Sequence, residues 1–119
     1  MAGTQITLDL GPVQGSITNP VACVGTTLVG AAPIVSSNVV VIAAAGQVAA
    51  TLPANAVPGT KVNVLNVAAT AVSATIFPAA AAGKINNGSA GAAVSVAQNK
   101  TAQFVALDGS DNWLAIVSA

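Results

Sequence analysis

Apolar and polar residues alternate with a period of two through TKVNVLNV (60–67), where Val62 and Val64 face one way and Thr60, Lys61 and Asn63 the other. The same alternation runs through VSATIF (72–77), with Val72, Ala74 and Ile76 opposed to Ser73, Thr75 and Phe77. Residues 68–71 leave only a short link between them, so the spacing predicts an antiparallel hairpin. TQITLDL (4–10) sets Ile6, Leu8 and Leu10 against Thr7 and Asp9 and predicts another strand. Further strands are predicted at 38–44, 48–52, 92–97, 101–107 and 112–118. Asn99–Lys100 and Asp108–Gly109–Ser110–Asp111 are the turns expected between the last three, and Asn87–Gly88 suits a tight turn with positive φ.

Alanine is abundant and has the best helix propensity, yet no twelve-residue window free of breakers keeps a helical period. Val, Ile and Thr fill the segments between alanines, and Gly, Pro or Asn breaks recur roughly every eight to twelve residues. The pattern predicts an all-β protein, a small antiparallel β-sandwich or barrel of jelly-roll-like form. Gly11, Pro12, Gly15, Pro20, Gly25, Gly30 and Pro33 interrupt any long element near the start. Residues 1–37 are therefore expected as an extended N-terminal arm or edge segment, and 38–119 as the compact β domain. No internal repeat is evident.

Composition sharpens this picture. At 119 residues the chain is one domain in size, and a domain of that length buries roughly two-thirds of its unfolded surface. The apolar fraction is 54%, which excludes a disordered chain, but Ala and Val supply most of it. Alanine removes little area from water, so the core is thin and gains from burial against neighbouring subunits. Only 5% of residues are charged: Lys61, Lys84 and Lys100 against Asp9, Asp108 and Asp111, with net charge zero. Near-zero net charge favours association. Three scattered lysines make no phosphate-binding patch, so nucleic acid is not an expected partner. The most apolar stretch, 62–82, is interrupted by Asn63, Asn66, Thr70, Ser73, Thr75 and Pro78, and no membrane span is expected. The first ten residues carry no Lys or Arg, which argues against a signal peptide and for synthesis in a reducing cytoplasm.

Catalysis fails on inventory. His, Glu, Arg and Tyr are absent, leaving three Asp, three Lys and Cys23 for proton transfer. Cys23 has no His to activate it and is expected as a small buried hydrophobe. Asp108 and Asp111, three apart in DGSDN, are a conceivable cation pair but better fit a solvated turn. AAAAGKI (79–85) lacks the first Gly of a phosphate loop and has Ile85 where a hydroxyl must reach magnesium. Asn87-Gly88-Ser89 and Asn99-Lys100-Thr101 match the glycosylation sequon by chance, with no secretory signal before them. Threonines follow no period that an ice-binding face would need. Trp113 is placed in the core or at a subunit interface rather than on a sugar ring, and Phe77 and Phe104 are core candidates. No catalytic, cofactor or metal residue is expected.

One resemblance spans Gln47 to Val117, roughly 60% of the chain. TLPANAVPGTKVNVLN (51–66), TIFPA (75–79), GKINNGSAG (83–91), AVSVAQNKTAQFVALDG (93–109) and NWLAIV (112–117) follow in an order that resembles capsid decoration, or cement, proteins of tailed bacteriophages and related β-modules of phage appendages. The first 46 residues have no counterpart in that pattern. The resemblance implies a compact β-fold, often a symmetric oligomer, displayed on the outside of a phage head and clamping the shell. The expected partners are the major capsid protein and further copies of the chain, a trimer being the first choice at three-fold junctions. Expected localisation is the capsid exterior of the virion, after synthesis in the host cytoplasm. The alternative is an appendage or fibre module binding a host glycan through Trp113 or the 108–112 loop. A self-assembling bacterial surface protein and a small enzyme rank below both.

Overall fold

The structure, a computed structural model, describes residues 20–118; the strand expected at 4–10 lies outside them. No helix forms among the described residues, and the protein is all-β. Ten strands follow one another among the described residues: β1 (Val21–Ala22), β2 (Ala32–Pro33), β3 (Asn38–Ile42), β4 (Ala49–Thr51), β5 (Lys61–Asn66), β6 (Ala74–Phe77), β7 (Lys84–Ile85), β8 (Val94–Val96), β9 (Thr101–Ala106) and β10 (Asn112–Val117). They form a six-stranded sheet in the order β1-β3-β5-β9-β10-β7 and a four-stranded sheet in the order β2-β4-β6-β8.

Up to β9, each strand lies in the sheet opposite to the one before it. From β3 to β6, each return therefore sets a strand beside the one two earlier, running the same way. Val39 pairs with Val64 and Ala50 with Ile76 in parallel registers about 25 residues apart. Pairing turns antiparallel only where β9 meets β5 and β10, and where β8 meets β6. The sheets are mixed, and the expectation of antiparallel pairing throughout does not hold.

The hairpin expected from 60–67 and 72–77 is also corrected, because β5 and β6 sit in different sheets. The cause is Asn66. Two places beyond Val64, it lies on the inward side and is fully buried. Its Nδ2 donates to the carbonyls of Val72 and Val96, each at 2.9 Å, and its Oδ1 accepts from the Ala68 N–H at 3.0 Å. The link after β5 is thereby folded towards the second sheet instead of back along the first. Val67 N–H still donates to Val41 O, which keeps the end of β5 against β3.

The inward positions of both sheets join in one apolar cluster. Val39, Val41, Val62, Val64, Phe104 and Trp113 come from the six-stranded sheet, and Ala50, Ile76 and Val96 from the four-stranded one. Phe104 and Trp113 are core residues as expected, whereas Phe77 is only half-buried. Burial begins before residue 38: Cys23, Ala32 and Ile34 belong to the interior, and β1 and β2 are edge strands of the two sheets.

The asparagine-rich turn falls one residue earlier than expected. Asn86 and Asn87, not Gly88, take positive φ (54° and 57°), and Gly88 N–H closes the turn on Ile85 O at 3.0 Å. Two successive left-handed residues make the primed turn whose twist suits β-strands. Gly83 answers a different demand. A Cβ there would lie 2.5 Å from Asp111 O and 2.9 Å from Pro78 Cβ, so the 78–83 loop packs against the β9–β10 loop only with glycine.

Replacing Asn66 with Ala strips two carbonyls and one N–H of their partners. We expect a stability loss of about 3–5 kcal/mol in denaturant unfolding, with wild-type-like stability arguing against this account of the sheet crossing.

Candidate interaction surface

The polar and ionisable residues singled out from the sequence do not converge. Asp108 accepts from the Ser110 N–H at 2.8 Å and from Asn112 Nδ2 at 3.1 Å, so its carboxylate is engaged within its own turn. Asp111, at φ 63°, accepts from the Asn55 N–H at 2.7 Å through Oδ1. The two carboxylates thus hold separate pieces of backbone. Asn112 also accepts from the Lys84 N–H at 3.2 Å, linking the start of β7 to the turn. Asn87 and Asn99 lie exposed at left-handed turn positions, which Asn tolerates better than most residues. Among the described residues, no group of three or more His, Cys, Asp or Glu side chains is assembled as a metal site.

Trp113 is 1% exposed, so neither face of its ring is open for stacking. Its indole Nε1 is the buried side-chain atom without a hydrogen-bond partner among the described residues. Cys23 is buried and free, and burial pushes its thiol up from the ordinary range, so the thiolate is disfavoured.

What the fold does assemble is a face. On β3, β5, β9 and β10 the outward residues align in three rows across the six-stranded sheet. Lys61 opposes Val105, which opposes Leu114. Asn38, Asn63, Gln103 and Ile116 form the second row, and Val40, Leu65 and Thr101 the third. The carboxamides of the second row are bonded in sequence, Gln103 Nε2 to Asn63 Oδ1 and Asn63 Nδ2 to Asn38 Oδ1, both at 3.0 Å. An open depression of about 510 Å³ lies over the second and third rows. Ile116 is 66% exposed and Leu114 45%. Lys61 is the one charged residue in these four strands.

Alternation in 60–67 carried the outward placement of Lys61 and Asn63, whereas that of Leu114 and Ile116 in the apolar run NWLAIV did not show in the sequence. The rows themselves were not visible, because they depend on pairings between β3, β5 and β9 that are up to about 40 residues apart. No family model, curated protein or solved structure matches the chain.

The carboxyl of Asp108 is held below the usual aspartate range, first by the Asn112 amide and then by the Ser110 N–H. A depressed pKa contributes stability that is present above the unfolded aspartate value and is lost as pH falls through the folded one. The expected outcome of Asn112→Ala is an upward move of the Asp108 carboxyl midpoint in an NMR titration; an unmoved midpoint would refute the assignment.

Proposed function

We propose that this protein is a non-enzymatic structural component that works by covering surface, and that it is a capsid decoration or cement protein on the head of a tailed bacteriophage. The outward face of β3, β5, β9 and β10 carries the reading: it is broad, has one charge, and exposes Leu114 and Ile116 beside a ladder of amides. A face of this kind loses little on dehydration compared with a charged one, and contiguous exposed apolar area marks contact sites. The order of motifs from Gln47 to Val117, which resembles that family, supports the same reading. We take the two sheets around one core as a sandwich variant of the phage β-module.

In this role the protein binds the major capsid protein and further copies of itself, with a trimer as the expected oligomer. Bridging several shell subunits makes each weak contact act at high effective concentration, so rupture must break many together. The capsid exterior is the proposed location. The glycan-binding alternative has less support, since the Trp113 ring offers no stacking platform.

Sedimentation of the purified protein, alone and with empty phage shells, tests the proposal. An oligomer that co-sediments with shells is expected; a monomer at all concentrations that leaves shells bare would refute it. Ile116→Lys places a charge on the face without touching the core. We expect it to weaken association by on the order of ten-fold or more while leaving the β circular-dichroism spectrum intact.

A further inference from the structure

Strand β10 has two unlike edges. One pairs with β9 along five residues, from Trp113 to Val117. Among the described residues the other pairs with β7 only at Asn112 and Trp113, after which the Ile85–Gly88 turn carries the chain away. An uncharged, β-prone strand such as NWLAIV with an open edge is a template for another chain. Asn86 stands where the next strand residue belongs. Its backbone N–H donates to Trp113 O at 2.8 Å. Its side-chain Oδ1 accepts from the Ala115 N–H at 2.7 Å, and its Nδ2 donates to the Ala115 carbonyl at 3.2 Å. The carboxamide offers the donor and acceptor pair of a peptide group but has no chain to continue it. The left-handed backbone at Asn86, φ 54°, is what turns the side chain back onto the strand.

We infer that Asn86 is an edge stop, which denies the β10 edge to a second copy and leaves the sheet face as the surface by which copies meet. The occupant it excludes is β10 of another molecule, pairing antiparallel about a two-fold axis. No like charges would oppose one another in that pairing, because β10 carries none, and Leu114, Ile116 and Val117 are exposed beside it. The inference goes beyond the decoration reading and stands whether or not shells are bound.

Asn86→Gly tests it in the full chain, since glycine keeps the positive φ and removes only the amide. Amide exchange at Ala115 is expected to accelerate by on the order of ten-fold, the effect of one lost hydrogen bond. Sedimentation velocity is expected to show added, concentration-dependent association relative to wild type, reversed by Val117→Pro, which removes an N–H on the open edge and leaves the N–H groups that bond β9. Should Asn86→Gly not fold, Asn86→Ala is read the same way: it too removes both the acceptor for Ala115 N–H and the donor to its carbonyl. Unchanged Ala115 exchange, or faster exchange without added association, overturns the inference. Shell binding by the wild-type protein is a separate measurement, so failure here and failure of the decoration reading are told apart.

Discussion

The buried carboxamide of Asn66 constrains the whole arrangement. A polar side chain inside a valine-rich interior is costly unless every donor and acceptor finds a partner, and here they do. Its partners lie on the link after β5 and on β8 in the opposite sheet, while its backbone N–H and C=O are taken by Lys100 O and the Asn99 N–H. One residue therefore fixes where the chain leaves the first sheet, where the second sheet sits, and where the chain returns. Apolar packing between valines is less directional and would tolerate more than one crossing. The amide network selects one.

Carboxamides take over tasks that other proteins give to charge. Asn38, Asn63 and Gln103 keep the outer face wet without ionic groups. Asn55, Asn86, Asn87 and Asn99 occupy left-handed turn positions, and Asn86 adds the strand-like contact with Ala115. An amide surface hydrates less strongly than a carboxylate or ammonium surface, so it is easier to cover with a neighbour. The same choice that leaves the chain without His, Glu, Arg or Tyr leaves it with a sheet face carrying one charge. Charge enters locally, as at Asp108 and Asp111, where carboxylates brace loops around the β9–β10 turn.

A thin core is consistent with this economy. Phe104 and Trp113 are the largest fully buried side chains, Ile34, Leu52 and Ile76 follow, and valines with small alanines fill most of the rest. Close approach between sheets needs small residues, and the contact of Gly83 with Asp111 and Pro78 shows how little room the loops leave. Such an interior gains less from burial than a leucine-rich one of equal length, which makes contact with neighbouring molecules energetically welcome.

Much of the local structure was readable from the sequence. The sequence pattern located β3, β4, β5, β6, β8, β9 and β10 to within a few residues, and the alternation in 60–67 separated Val62 and Val64 from Lys61 and Asn63. Alternation is a local property, set by the pleat, so it survives in any fold. The same rule put Asn66 on the inward side with Val62 and Val64, a signal that an apolar-versus-polar reading passes over because asparagine is expected outside. Partners were another matter. Short links at 68–71 and 97–100 suggest neighbours, yet both carry the chain between sheets, and parallel pairing of β3 with β5 or β4 with β6 leaves no mark on either strand alone. Two-residue strands such as β1, β2 and β7 are too short to alternate. Sequence by itself determined that the chain is β, poor in charge and poor in reactive groups. Tertiary structure decided which strands lie side by side, and hence which outward residues share a face, because hydrogen-bond pairing and the one satisfied position for Asn66 are properties of the packed molecule.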